Sequence, residues 1–224
     1  MKTSLIKFSI LLAIAFSFTN CKDKAADANI SEAEAAAINE LAFDHYTVNI
    51  EDSRIEWKGF KPTGSHNGTI TLNEGFLKTD ENQLQSGTFL IDMNTITVTD
   101  LESGNGKESL EGHLKGIAEG KEDHFFDVAK WPNATFEITG VDTLTEGKTK
   151  LSGNLEIKGQ KHNISFPVTV TNQDNILKME SEAFTIDRTK WGINYASKSV
   201  FDDLGNKFIN DDMELKIVVI AKKS

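Results

Sequence analysis

Several residue types are scarce in this chain of 224 residues, which contains one cysteine and three prolines. A single cysteine cannot form a disulfide within the chain, so the fold has to be held together by its apolar core. Basic residues are also few, with 24 Lys and Arg against 34 Asp and Glu. Phosphate contacts need clustered Lys and Arg, so this balance opposes binding to nucleic acid, and it opposes binding to an anionic membrane surface through charge.

Signatures of metal binding and of nucleophilic catalysis are missing as well. The five histidines, at 45, 66, 113, 124 and 162, form no H-x-x-x-H pattern, and no G-x-S-x-G sequence occurs. Asp123 and Asp127 flank a Phe pair and are interpreted as turn-capping residues. We therefore predict no enzyme activity, no cofactor and no metal site. A weaker alternative, an enzyme that acts on its own bound lipid, would use His66 or Asp127.

The N-terminus has the pattern of an export signal. The uncharged run Phe8–Phe18 follows Lys2 and Lys7 and is too short for a permanent bilayer-spanning helix. It has the length of a signal h-region, so residues 1–20 are predicted to be a signal peptide that is removed. Cys21 follows directly and resembles the lipobox cysteine of bacterial lipoproteins, although Asn20 departs from the usual small residue. This resemblance implies lipidation of Cys21 and anchoring in the bacterial cell envelope, at the periplasm or outer membrane.

Residues 21–42 differ in composition from the rest of the chain, being rich in Ala and acids and poor in large apolar residues. Ser31 with Glu34 has the spacing of a capping box that would open a short helix. We predict a flexible tether that holds the folded domain, residues 43–224, clear of the membrane. Without residues 1–20 the chain has 22 basic and 34 acidic side chains, a formal charge of −12.

From residue 43 onward apolar and polar residues alternate, which is typical of strands with one covered face. The alternating runs include Ile55/Trp57, Ile70/Leu72, Phe89/Ile91/Met93, Phe136/Ile138, Leu155/Ile157, Ile164/Phe166/Val168/Val170 and Met213/Leu215/Ile217/Val219. Eight to ten strands with no long helix to cover them predict an antiparallel sheet that covers itself. A short helical connection near residues 107–117 interrupts the series.

Glycines within these runs favour closure into a barrel over a sandwich. Gly59, Gly87, Gly140 and Gly153 lie in or beside strands, where glycine commonly permits a bend or a bulge. Pro167 lies inside a run that otherwise has a strand pattern, which predicts a bulge or a sheet edge there. The fold class expected from the sequence is therefore an all-β, antiparallel, eight-stranded barrel.

Five ordered sequence blocks resemble the YceI-like family. They are Trp57–Gly68 (WKGFKPTGSHNG), Leu110–Val128 (ending in DHFFDV), Pro132–Phe136 (PNATF), Gly153–Pro167 (GNLEIKG and ISFP) and Ile186–Gly192 (IDRTKWG). The resemblance spans residues 46 to about 219, nearly all of the predicted domain. It implies a lipocalin-like barrel whose interior holds a long apolar chain, such as a polyisoprenoid, a quinone tail or a fatty amide.

The expected function is non-enzymatic binding, transport or storage of such a ligand. The predicted contacts comprise inward apolar positions and three further residues; they are Ile70, Leu72, Phe89, Ile91, Phe136, Ile138, Leu155, Ile157, Leu215, Ile217, His66, Phe126 and Arg188. Each apolar position has an ordinary core role as its alternative. The alternative for His66 is a bond to a neighbouring strand, and the alternative for Arg188 is an ion pair that closes the barrel.

The carrier interpretation depends on an apolar tunnel along the barrel axis. If large side chains fill that space instead, the domain becomes a protein-interaction module, with its acidic outer face or tip loops contacting a partner. Membrane contact is expected only through the lipid on Cys21. An open sheet edge would also allow a homodimer.

Overall fold

The computed structural model describes residues 24–37, 43–144 and 147–224. The predicted signal peptide over residues 1–20, Cys21 and residues 38–42 of the predicted tether lie outside this described part. Within it the structure is mostly β-sheet with one α-helix, α1 (Lys107–Lys115), at the position predicted for the helical connection. Two 3-10 helices, Arg188–Trp191 and Gly205–Lys207, follow later in the chain.

The described part of the chain contains twelve strands that belong to one hydrogen-bonded sheet. They are β1 (Ala26–Asp27), β2 (Asn29–Glu32), β3 (Asp44–Val48), β4 (Arg54–Lys61), β5 (Gly64–Asp80), β6 (Gln83–Val98), β7 (Asn133–Thr143), β8 (Lys148–Ile157), β9 (Gln160–Gln173), β10 (Ile176–Ser181), β11 (Phe184–Asp187) and β12 (Asp212–Lys223).

Eight of these strands form a closed ring. The pairing runs from β4 through β5, β6, β7, β8, β9 and β10 to β12, which pairs with β4 again. Each pair in the ring is antiparallel, as predicted. The prediction of a purely antiparallel sheet is nevertheless wrong, because β1 runs parallel to β11 outside the ring. Tight turns explain the ring pairs: Glu81 and Asn82, for example, adopt the left-handed backbone conformation that a two-residue hairpin requires.

The inner face of the ring is apolar because the alternating residues of each strand turn inward. The end of the ring remote from α1 is filled by Tyr46, Leu77, Leu84 and Leu177, each at most 4% exposed. Phe166 and Phe184 stack with 4.1 Å between ring centroids in the middle of the interior. The interior is therefore closed at one end, which differs from the predicted tunnel along the whole axis.

Pro167 marks a change of partner along β9, as its missing N–H predicts. Residues 162–165 of β9 pair with β2, residues 168–173 pair with β10, and Pro167 lies between the two sets. On the other side of β9, Pro167 is opposite Lys150 of β8. The ring therefore opens on the N-terminal side of Pro167, where β9 does not pair with β10 and β11 lies beside β12 instead.

The N-terminal strap, residues 24–37, fills this opening. β1 pairs with β11 and β2 pairs with β9, so the strap lies between the two strands that separate there. The predicted capping-box helix is not formed, because Ser31 lies in β2 opposite Asn163. Unpaired edge groups of β9 and β11 need hydrogen-bond partners, and the strap supplies them.

Asn154 fixes the far part of the strap to the outside of the ring. Its Oδ1 accepts a hydrogen bond from Glu34 N–H at 3.0 Å, and its Nδ2 donates to Glu34 O at 2.7 Å. Asn163 donates to Asn154 Oδ1 at 3.2 Å and to Thr139 at 2.8 Å. Both asparagines are buried although they alternate with inward residues, so the strap itself covers them.

We expect Asn154→Ala to destabilise the protein by about 1–3 kcal/mol, because the Glu34 backbone groups and the Asn163 amide lose buried partners. Urea unfolding measures the change, and limited proteolysis reports release of the strap. Asn206→Ala, at an exposed position, is the matched control. Equal unfolding midpoints for the two variants would show that the strap does not depend on Asn154.

Candidate functional site

Two apolar cavities lie inside the ring. The larger, about 120 Å³, lies at the end covered by α1, and the smaller, about 50 Å³, lies deeper. Both are lined by Ile55, Ile91, Leu155 and Leu215, so the two cavities adjoin each other. The interior therefore contains two adjoining apolar spaces, one at the α1 end and one near the middle of the ring.

Most of the predicted ligand contacts lie on these walls. The larger cavity contacts Ile70, Ile91, Leu155, Ile157, Leu215, Phe126 and Arg188. The smaller cavity contacts Leu72, Phe89, Ile91, Phe136, Leu155, Leu215 and Ile217. Their placement follows from strand alternation, and their role as ligand contacts stays a prediction.

Two predicted contacts, Ile138 and His66, line neither cavity. Ile138 is 1% exposed and packs against the Gly87 backbone, so it belongs to the core. His66 Nδ1 lies 2.9 Å from Asp100 Oδ2 at the surface of β5. Partial burial raises the pKa of Asp100, but hydrogen bonds from Asn67 N–H and His66 outweigh it, and the net shift is downward. His66 thus bonds a side chain rather than the strand carbonyl of its alternative role.

The sequence analysis did not select several cavity residues. Trp57 and Met213 alternate in phase with chosen neighbours, and this pattern was the signal that could have found them. Leu114, Ile193 and Ile209 come from α1 and from the irregular segment after Arg188–Trp191, where no strand periodicity marks them. Segments outside the sheet therefore complete a cavity wall that the strands mainly build.

Arg188 holds that wall together. Its Nε donates to Asn210 O at 3.0 Å, its Nη1 to Ile193 O, and its Nη2 to Ile209 O at 3.1 Å. Burial lowers the pKa of Arg188, while the carboxylates of Asp211 and Asp187 oppose that shift. All three guanidinium nitrogens donate to main-chain carbonyls, whereas the alternative drawn from the sequence was an ion pair; a role of Arg188 as a ligand contact stays a prediction.

An aromatic cluster closes the α1 end above Phe125, which is itself a cavity residue. His113 Nε2 lies 2.8 Å from His124 Nδ1, and the His124 ring stacks on Tyr195 with centroids 4.0 Å apart. The Phe125 ring meets His113 edge-on at 5.1 Å. Since a hydrogen bond between two imidazoles needs one neutral acceptor nitrogen, double protonation breaks this contact.

This cluster predicts a loss of stability in mild acid. Burial lowers the pKa of His113, and the nearby charges of Lys121 and His124 lower it further. Stabilisation is therefore complete above the unfolded pKa of about 6.5 and is lost as the pH falls through the lower folded value. We expect His113→Gln to reduce the change in urea midpoint between about pH 7.5 and about pH 5.

The exposed His45 on β3 provides the control for that measurement, because His45→Gln makes the same substitution away from the cluster. The control should keep the pH dependence of the unchanged protein. Identical pH dependence in the His113→Gln variant and the unchanged protein would contradict the assignment.

Asp123 and Asp127 lie at the turns on either side of Phe125 and Phe126, and turn capping by their carboxylates stays a prediction. Asp123 Oδ1 accepts a hydrogen bond from Lys158 Nζ at 2.7 Å, and this bond lowers the pKa of Asp123. Asp127 has a positive φ of 46° and its carbonyl accepts from Lys130 and Trp131 N–H.

In residues 24–37, 43–144 and 147–224, no three His, Cys, Asp or Glu side chains are grouped to hold a metal ion. The helices of this same part are each too short or too polar to cross a bilayer.

A closed ring of eight strands around two apolar cavities defines the class of this protein, a β-protein with an apolar internal space. The YceI-like domain model matches residues 46–221, and the chain belongs to that family.

The fold is also shared with solved structures, among them two that cover most of this chain. BcnA of Burkholderia cenocepacia has a TM-score of 0.60 and 18% identity, covering 78% of this chain and 99% of its own. A polyisoprenoid-binding domain from Saccharophagus degradans has a TM-score of 0.57 and 13% identity, covering 80% and 98%. No curated protein matches the chain in sequence.

Proposed function

We propose that this protein binds one slender apolar molecule, of polyisoprenoid, quinone-tail or fatty type, inside a lipocalin-like barrel formed by the eight-stranded ring. The single observation that carries the proposal is the pair of adjoining cavities with almost entirely apolar walls. The comparison domain from Saccharophagus degradans is described as polyisoprenoid-binding, which supports the same class of ligand. Members of this class are long, thin and poorly soluble, and they match a narrow blind cavity.

The size of the space suits part of a hydrocarbon chain. One water molecule needs roughly 10–15 Å³ of such a cavity, so the larger one has room for about ten small groups of water or methylene size. Burial of about ten carbons, at ~0.8 kcal/mol each, gives about 8 kcal/mol before the cost of immobilising the ligand. A net 8 kcal/mol would correspond to micromolar affinity, so the affinity that these ten carbons provide is at most about micromolar once the immobilisation cost is subtracted.

The polar groups in the wall indicate how a ligand oxygen would be met. Arg188 has its guanidinium nitrogens committed to main-chain carbonyls. Trp57 Nε1 is buried and has no hydrogen-bond partner among the described residues. We therefore infer that the free N–H of Trp57 donates a hydrogen bond to a carbonyl or hydroxyl oxygen on an otherwise apolar ligand.

We further propose that the protein acts by binding alone, after export and lipidation of Cys21, and that it works in the bacterial cell envelope. The uncharged run Phe8–Phe18 followed by Cys21 supports this placement. The alternative of an interaction module needs a filled interior, and the two cavities count against it. Homodimer formation stays a prediction.

Native mass spectrometry of the protein purified without detergent tests the binding proposal. We expect a discrete bound mass that disappears after extraction with organic solvent and is found in the extract. The same measurement reports the subunit count. A single mass, identical before and after extraction, together with an empty extract, would overturn the carrier function.

A further inference from the structure

The rim of the larger cavity is joined to the N-terminal strap. Asp212 lines this cavity, and its carboxylate reaches the surface, where Lys24 Nζ donates to its Oδ2 at 3.0 Å. The same ammonium lies 3.3 Å from Asp27. Since β1 is also paired with β11, the first described residues of the chain are fixed beside the cavity rim.

In the sequence, Cys21 precedes Lys24. The two residues are three positions apart, and an extended chain spans at most ~3.6 Å per residue, or about 11 Å in all. A lipid on Cys21 would therefore enter a bilayer within a few side-chain lengths of the cavity rim. The strap is paired with the sheet and cannot act as the long flexible spacer that its composition suggests.

A loop at the same rim exposes apolar side chains. This tip loop, residues 198–207, is attached to the rim because Ser199 Oγ donates to Asp211 Oδ2 at 2.6 Å. Ser197 and Ile209, which flank the loop, are bridged to each other, and Ile209 lines the cavity. Val200 and Phe201 are 47% and 48% exposed.

The charges of the tip loop cancel. Lys198 and Lys207 are offset by Asp202 and Asp203, so the loop carries no net formal charge. Attraction to anionic lipid therefore contributes little, and contact with a membrane would depend on the apolar side chains and the acyl anchor. An anchor and a second apolar contact together give stable attachment, whereas a single weak signal does not.

We propose that the tip loop and the cavity rim rest on the lipid bilayer, with Val200 and Phe201 inserted among the headgroups, so that the cavity loads and unloads directly at the membrane surface. This orientation rests on the proposed lipidation of Cys21. It places the filled end of the ring, which carries exposed Ile50 and Ile176, away from the membrane.

Depth-dependent quenching tests the orientation in the full, lipidated protein. Cys21 is the only cysteine and its thiol is blocked by the lipid, so one added cysteine takes a bimane label specifically. Phe201→Cys labels the tip loop, and Ile176→Cys, 48% exposed at the opposite end, is the matched control. Vesicles of phosphatidylcholine with brominated acyl chains supply the quencher.

We expect at least twofold quenching of bimane at position 201 and no quenching at position 176. Equal quenching at both positions, or stronger quenching at 176, would overturn the orientation. An unmodified Cys21 in the intact mass of the protein would overturn it too. A large gain in quenching at 201 on adding phosphatidylglycerol would contradict the charge-neutral contact.

Native mass spectrometry of the same sample separates this proposal from the binding function. Quenching at position 201 without any extractable ligand would support the orientation and remove the carrier function. Bound ligand without quenching would do the reverse.

Discussion

Gly59→Phe is expected to lower the affinity for an apolar ligand at least about tenfold, which corresponds to about 1.4 kcal/mol or more. Gly59 lines the larger cavity on β4, in phase with Ile55 and Trp57. A Cβ built there meets no atom within 4 Å, so the new side chain enters open space. The phenyl ring would take the place of the ligand, and folding stability should stay the same or rise, because aromatic residues favour strands.

The control for this experiment is Lys58→Phe, one residue earlier on β4 and on the opposite face of the strand. It adds the same side chain outside the cavity and should leave the bound mass unchanged. Ligand content by native mass spectrometry, with urea unfolding as a check of stability, gives the result. Full retention of ligand in a stable Gly59→Phe protein would show that the larger cavity is not the binding site.

Arg188→Met is expected to destabilise the protein by about 3–5 kcal/mol, the usual cost of breaking a buried charged network on one side. The substitution leaves the carbonyls of Ile193, Ile209 and Asn210 without their donor. It also removes the cation 3.7 Å from Asp211, whose Oδ1 is buried. Since these groups form the wall of the larger cavity, ligand should be lost together with stability.

The only other arginine of the chain, Arg54, provides the matched control. Its side chain is 47% exposed and its guanidinium pairs with Glu56 at the surface, so Arg54→Met should cost about 0–1 kcal/mol. Arg188→Lys should recover little, because one ammonium cannot donate along the three directions of a guanidinium. Equal unfolding midpoints for Arg188→Met and Arg54→Met would show that the three carbonyl contacts are unimportant.

Local pattern was sufficient to predict the strands of the ring, their inward faces and α1. Residues such as Ile91, Leu155 and Leu215 line both cavities because alternation places them inside whatever their neighbours are. The helix was marked by a break in the same period. These features depend on residues adjacent in the chain, which a sequence displays directly.

Long-range partners were not predictable in the same way. His66 lies between glycines, a context that suggests close approach to a ligand, yet its partner is Asp100, 34 residues later. Residues 24–37 have the composition of a tether, and their pairing depends on an opening between β9 and β11 that no local signal reveals. The three carbonyls around Arg188 come from 5 to 22 positions along the chain.

By itself, the order of apolar and polar residues determined that this protein forms a ring of β-strands with an apolar interior. Only the tertiary structure decided that one end is filled, that the other holds the cavity, and that the strap meets its rim. A period of two assigns each side chain to a face, whereas the free space across the axis depends on how residues from distant strands pack together.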